Sequence, residues 1–270
     1  MSAIQYEIQE MIGEGLRGVV YRGFDLHNRR EVAIKKVRTS PNANREIQNH
    51  ISINHLTIIP KFFDSFDLIE NDISYTYIVT ELIHGESLAS AWKKNKNFDF
   101  VWLTIFHVLR TINQLHSANV AHDDLHIHNF MWTGRRPDWS SQPGPNLSRE
   151  AAPGDKIYII DFDKLLRTDS ISNENKQRAC YDYRGIYWRQ TKNLLRGTVG
   201  SWTNDRLGLE RFNAFYHVLM DTRCEEYGAE TSKYWTVSEF YLKIYESYLE
   251  IDQMSQTELD EFLVPKSLYI

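Results

Sequence analysis

A chain of 270 residues, 42% hydrophobic and 25% charged, holds enough core-forming material for one large domain or two small lobes. Its net charge of −5 supplies no global field to attract nucleic acid or an anionic membrane, and no apolar run is long enough to span a bilayer. Cys180 and Cys224 cannot build a disulfide framework, and Met1–Glu10 lacks the basic-then-apolar pattern of a secretory leader, so a reducing, cytoplasmic compartment is expected.

The first third reads as strands. Tyr6–Ile12 alternates imperfectly, a glycine-rich turn follows, and Val19–Gly23 and Glu31–Val37 are β-branched runs. A short helix is predicted over Asn44–Asn54, with Ile47, Ile51 and His50 on one face, then strands over Lys61–Phe66 and Ser74–Glu81. Beyond about residue 85 the pattern turns helical. Phe100–Ser117 places Val101, Ile105, Val108, Leu109, Ile112 and Leu115 at helical spacing, and Asp205–Cys224 and Thr236–Ile251 repeat that character. Ser255-Gln256-Thr257-Glu258 is a capping-box start to a last helix. The segment Thr133–Lys156, rich in Gly, Pro and polar residues, reads as a long surface loop inserted in the rear part. The expected architecture is α+β and two-lobed, with a strand-rich front lobe over 1–83, a helical rear lobe over 84–270, and a cleft between them.

Four motifs then occur in order. Gly13-Glu14-Gly15-Leu16-Arg17-Gly18 is a G-x-G-x-x-G followed by strand material rather than by a helix. Val32-Ala33-Ile34-Lys35 lies on the next strand but one, with Glu46 on the helix that follows. His122-Asp123-Asp124-Leu125-His126-Ile127-His128-Asn129 matches H-R-D-L-x-x-x-N at His122, Asp124, Leu125 and Asn129. Ile157-Tyr158-Ile159-Ile160-Asp161-Phe162-Asp163 delivers an aspartate where D-F-G would stand. From Tyr6 to at least Trp188 the chain resembles the protein-kinase superfamily, in an atypical and pared-down form.

That resemblance implies ATP and magnesium as cofactors, a protein substrate, and a set of roles. Gly13, Gly15 and Gly18 would let backbone amides approach the phosphates. Lys35 would reach the α- and β-phosphates while Glu46 holds it. Val20 and Ala33 would sandwich the adenine, Thr80 would stand at the gatekeeper position, and backbone groups of Glu81 and Ile83 would bond the adenine edge. Asp124 would take or orient the substrate hydroxyl proton, and Asn129 and Asp161 would hold the metal. Asp182 matches the aspartate that braces the catalytic loop from a rear helix.

The departures bear on substrate and regulation. Asp123 replaces the arginine that pairs with an activating phosphate, so phosphorylation within Lys164–Cys180 is not expected to be required. Asp163 replaces the glycine of D-F-G, and no Ala-Pro-Glu follows. His126 and the D-F-D form are similar to antibiotic, choline and lipopolysaccharide-sugar kinases, while the front lobe resembles protein kinases more closely. Small bacterial effector kinases and viral kinases share such mixtures. The expected reaction is transfer of the ATP γ-phosphate to a protein Ser/Thr hydroxyl. The alternatives are a small-molecule or lipid-sugar kinase, an inactive kinase-like binding module, and a nucleotidyl transferase. A zinc or iron hydrolase built on His122, Asp123, Asp124, His126 and His128 is a rival from another class. Because the stretch between Asn129 and Asp161 is far longer than a tight hairpin needs, replacing Thr133–Lys156 with a short Gly-Ser linker should preserve folding. A thermal melt of the shortened chain checks this, and a collapse of the melting temperature would contradict it.

Overall fold

The computed structural model describes residues 5–15, 17–95, 98–134, 157–167, 182, 210, 211, 214, 215, 217, 218, 246–255, 257 and 258. Most of the predicted loop at 133–156, most of the segment 164–180, and most of the predicted helices at 205–224 and 236–251 lie outside the described residues. The chain divides into two compact units, Met1–Gly85 with Tyr158–Lys164, and Glu86–Ile157 with Leu165–Ile270.

The first unit is built on an antiparallel sheet of five strands, β1 (Tyr6–Gly15), β2 (Gly18–Asp25), β3 (Arg30–Arg38), β4 (Phe62–Glu70) and β5 (Ile73–Glu81), in the order β1-β2-β3-β5-β4. The imperfect alternation of β1 has a structural cause. Its register against β2 shifts between Ile8 and Met11 and again before Gly13, and Met11 and Ile12 are left exposed. Along β3, Val32 and Ile34 are fully buried, packing with Tyr6, Tyr77 and Val79, while Ala33 and Lys35 face the other way, where Val37 is buried too. On the buried side Phe66 stacks between Tyr6 and Tyr77, at 5.7 and 5.0 Å. Asn71 and Asp72 both take left-handed backbone, as the two-residue turn joining β4 to β5 demands.

Helix α1 spans Pro41–Ile53, earlier than Asn44, because Ser40 caps it by accepting from the Ala43 amide and Pro41 suits its first turn. Its buried face carries Ala43, Glu46, Ile47, His50 and Ile53. Ile51, expected on that face, is exposed. One residue past His50 it is turned by roughly 100°, and the buried stripe is centred on Glu46 and His50 instead.

In the second unit, β6 (Glu86–Ser87) leads into α2 (Leu88–Asn95) and then α3 (Phe98–Ser117). Val101, Ile105, Val108, Leu109, Ile112 and Leu115 of α3 are all fully buried, as their spacing predicts. The Trp92 indole donates to Thr104 Oγ1 at 2.7 Å, tying α2 to α3. Two short strands follow, β7 (Val120–Ala121) and β8 (Phe130–Trp132). Strand β9 (Ile157–Ile159) carries the chain out of this unit into the first, and β10 (Leu166–Arg167) pairs with β7. Near the C-terminus Glu258 and Ser255 bond reciprocally, side chain to amide, so the predicted capping box forms. No helix among the described residues is long and apolar enough to cross a membrane.

The turn between β2 and β3 hangs on one buried carboxylate. Asp25 accepts from the amides of His27 and Asn28, from the Asn28 side chain at 2.7 Å and from Gln5, with Arg30 beside it. Burial alone would raise its pKa, but these bonds and the Arg30 charge outweigh it and lower it to about 2. A folded value below the unfolded one means stability that is complete above the unfolded pKa and lost as pH falls toward 2. Asp25→Asn should therefore destabilise the protein by roughly 2 kcal/mol at pH 7, with a smaller difference at pH 3. Urea unfolding at the two pH values checks this, and a difference that grows on acidification would contradict it.

Candidate active site

The pairing register alone assembles one face of the first unit. Gly13 lies opposite Val20, Val20 opposite Lys35, and Lys35 opposite Ile78, so the four form a row across β1, β2, β3 and β5. Ala33 and its partner Thr80 lie two residues along on the same side. The candidate phosphate, adenine and gatekeeper positions thus share a surface by strand geometry.

Lys35 stands at the centre of this face. Its ammonium bonds Glu46 Oε1 at 2.6 Å and Asp161 Oδ1 at 2.8 Å, joining β3, α1 and the segment after β9 within one unit. Burial pulls the Lys35 pKa down, but the charges and hydrogen bonds of Glu46 and Asp161 outweigh it and raise it, so the lysine is a fixed cation at neutral pH.

Helix α1 holds the Asp161–Asp163 segment with more than Glu46. Asn49 Nδ2 donates to the Phe162 carbonyl at 2.7 Å, and Arg45 Nε donates to the Asp163 carbonyl at 2.9 Å. The His50 ring meets Phe162 edge-on at 4.9 Å. Burial holds His50 below its usual pKa, its bond to the Pro60 carbonyl opposes this, and the Lys35 charge adds to the lowering. It is accordingly neutral at pH 7 and donates through Nε2 to Pro60. Asp161 itself takes a left-handed backbone, φ 69°, a conformation uncommon outside glycine. Sequence reasoning missed Arg45 and Asn49, and placed His50 on the inward face of the helix without its contact to Phe162. The signal available was their position within one turn of Glu46, with Arg45 and Asn49 four residues apart on one edge.

The glycine-rich turn divides its glycines by purpose. A Cβ on Gly18 would come within 2.4 Å of the Lys36 carbonyl oxygen, so close approach of β2 to β3 requires glycine there. Added at Gly13 or Gly15, a Cβ would meet nothing nearer than 3.8 Å, and neither backbone is left-handed. The chain's own packing leaves these two positions open to any residue. Bare backbone there fits close approach by a group from outside, such as the phosphates of a nucleotide. At the end of β5, the Glu81 amide donates to Lys61 O and so is not available for an adenine edge. The Ile83 N–H and carbonyl make no hydrogen bond among the described residues.

The second unit positions the remaining candidates on the loop after β7. Asn129 Nδ2 donates to the Asp124 carbonyl at 3.0 Å and its amide to the His126 carbonyl at 2.8 Å, closing the loop on itself. Ala89 of α2 anchors it by donating to Ile127 O. Asp123, at φ 63°, takes the left-handed backbone that Asp tolerates better than most residues. Asp182 is fully buried and helical, and it bonds the amides of His122 and Asp123 at 2.8 and 2.9 Å and the His116 ring at 2.9 Å. The bracing expected of it is present. Among the described residues, which include His122, Asp123, Asp124, His126 and His128, no three His, Cys, Asp or Glu side chains converge as metal ligands. Removing Asp182 takes this acceptor from a buried amide, a part-buried amide and a buried imidazole. Asp182→Ala should cost about 3 kcal/mol, read as a lower denaturation midpoint, and an unchanged midpoint would contradict the assignment.

Comparison with known proteins agrees with this geometry. Residues 6–182 match the family model described as "Protein kinase domain". The chain is 26% identical over 133 residues to "MAP kinase-activated protein kinase 2" of Mus musculus, covering 48% of this chain and 34% of that one. It is 31% identical over 138 residues to "Mitogen-activated protein kinase 9" of Oryza sativa subsp. japonica, covering 48% and 20%. It is 30% identical over 140 residues to "Mitogen-activated protein kinase mpkB" of Aspergillus fumigatus, covering 47% and 38%. The matched stretch is thus well under half the length of each of these relatives. The family match takes in the glycine-rich turn, Lys35, Glu46, the loop of Asp124 and Asn129, Asp161 and the bracing Asp182, and on it the chain belongs to the protein kinase domain family.

Proposed function

We propose that the chain is an ATP- and magnesium-dependent phosphotransferase acting on serine or threonine hydroxyls of proteins. The observation that carries this reading is the pair of ion pairs that Lys35 makes with Glu46 and Asp161, which puts a fixed cation and a carboxylate on the bare-backbone face of the sheet.

The residues suit both cofactors. Gly13 and Gly15 leave room for phosphate against backbone, and Ile83 offers unbonded backbone groups for an adenine edge. For magnesium, Asp161 supplies a carboxylate. In the second unit Asn129, with Nδ2 committed to Asp124 O, would offer its amide oxygen, the kind of donor this hard cation takes. Bound magnesium neutralises triphosphate charge. Lys35 would orient the α- and β-phosphates as a point charge, with Glu46 fixing its position. Asp124 would accept the proton of the attacking hydroxyl, its loop held by Asn129 and by Asp182. In a loose phosphoryl-transfer transition state such positioning supplies most of the rate.

A protein acceptor is favoured by the protein-kinase names of the relatives and by the front unit, whose glycine turn, lysine strand and helix follow that pattern. The absence of a basic residue at 123 supports activity without phosphorylation of the 164–180 segment, and the two cysteines suit a reducing compartment.

Asp161→Ala should abolish transfer, and Asp124→Ala should lower it by roughly a thousandfold while leaving nucleotide binding nearly intact. Mass spectrometry of reactions with a cell extract reads the outcome. Phosphoserine or phosphothreonine that appears with the wild type and not with Asp161→Ala is expected. Phosphate found solely on a soluble metabolite would overturn the protein acceptor, and full activity in Asp161→Ala would overturn the site.

A further inference from the structure

Arg17 sits at the tip of the turn between β1 and β2, inside the glycine-rich motif, and its side chain is about half exposed. Its guanidinium nevertheless pairs with the carboxylate of Asp163, whose side chain is almost completely buried. Apart from this ion pair, neither Asp163 oxygen has a hydrogen-bond partner among the described residues. A buried carboxylate with so little other support depends on its cation, because removing one member of such a pair leaves an uncompensated charge. The backbone of Asp163 is independently held, since Arg45 of α1 bonds its carbonyl. One end of the pair is therefore fixed to α1, and the other belongs to a turn flanked by Gly13 and Gly15, where no side chain packs to define its position beyond the β1–β2 pairing.

We propose that Arg17 and Asp163 form a latch that holds the glycine-rich turn against the Asp161–Asp163 segment before any nucleotide binds. The proposal rests on the nucleotide-binding reading of this face and assigns its pre-organisation to two residues outside the phosphate- and metal-binding set. Arg17 and Asp163 are positioning residues. The latch fixes the turn whose bare backbone at Gly13 and Gly15 would meet the phosphates, and it fixes it relative to Asp161, two residues from Asp163. Ordering that turn in advance spares the ordering cost that binding would otherwise carry. The same arrangement accounts for aspartate where glycine would serve a plain turn: the buried carboxylate is the anchor that an arginine in the glycine motif needs.

The test is amide hydrogen exchange on the nucleotide-free chain, which does not depend on catalytic activity. Arg17→Ala changes a half-exposed side chain and should leave the fold intact, as circular dichroism would verify. Exchange over residues 13–20 should accelerate on the order of tenfold, with β3 and β5 unchanged, and Arg17→Lys should restore most of the protection. Asp163→Asn should accelerate the same amides, and the double variant should be no faster than the faster single one, because the two residues act as one unit. Affinity for a non-hydrolysable ATP analogue should fall several-fold in Arg17→Ala. Unchanged exchange at residues 13–20 in Arg17→Ala, or fully additive effects in the double variant, would overturn the latch. Normal latch behaviour in a chain that binds no nucleotide would leave the latch standing and overturn the nucleotide reading instead. Failure of Asp163→Asn to fold leaves the Arg17 series decisive.

Discussion

The Lys35 ammonium, gripped by Glu46 at 2.6 Å and Asp161 at 2.8 Å, is the interaction on which the first unit depends. It joins three pieces of chain that are distant in sequence: the central strand of the sheet, the helix beside it, and the residues that follow β9. Removing the lysine would leave two carboxylates facing one another in a half-buried site, where like charges repel strongly. Removing either acid would leave a cation that burial penalises. Formally the trio carries one positive and two negative charges. A negative balance held on a face with bare backbone nearby is a setting that favours a divalent cation arriving with an anionic ligand.

Around that trio, α1 acts as a clamp rather than as a simple packing helix. Three consecutive functions fall within a turn and a half: Arg45 and Asn49 fix carbonyls, Glu46 fixes the lysine, and His50 packs on Phe162. Each contact reaches the Asp161–Asp163 segment or the residue that holds it. A displacement of α1 would therefore disturb Lys35 and Asp161 together, and activity would report the position of one helix. The second unit uses the same logic with a different anchor. Asp182 gathers the amides at the start of the His122–Asn129 loop, and Asn129 closes that loop on Asp124. In both units a buried polar group fixes the backbone, and the fixed backbone presents the side chain of interest.

Much of this was legible in the sequence, for identifiable reasons. The strands were readable because Glu31–Val37 and Ser74–Glu81 are runs rich in β-branched and aromatic residues, and α3 because its apolar residues recur at helical spacing. Lys35, Glu46, Asp124, Asn129 and Asp161 were singled out because each stands in or beside an ordered motif, and Asp182 by the resemblance alone. Ile51 was misplaced because an apolar residue was weighted above its angular position, when the inward face of α1 is chosen by a charge, Glu46, seeking Lys35. The helix α1 begins earlier than its apolar spacing implies because Ser40 and Pro41 form its cap. The partners of Arg17, Arg45 and Asn49 were not readable, because they are a carboxylate and two carbonyls more than a hundred positions away; only the shared edge of Arg45 and Asn49 beside Glu46 was. No local pattern encodes pairings of that length.

The central claim is that Lys35, fixed by two carboxylates beside bare backbone, makes a nucleotide site. Calorimetric titration of the purified chain with a non-hydrolysable ATP analogue, with and without magnesium, addresses it most directly. The account predicts one-to-one binding that magnesium strengthens and that Lys35→Ala weakens by at least about tenfold in a chain that remains folded. Absence of binding by the wild-type chain in the presence of magnesium, or equal binding by folded Lys35→Ala, would contradict it.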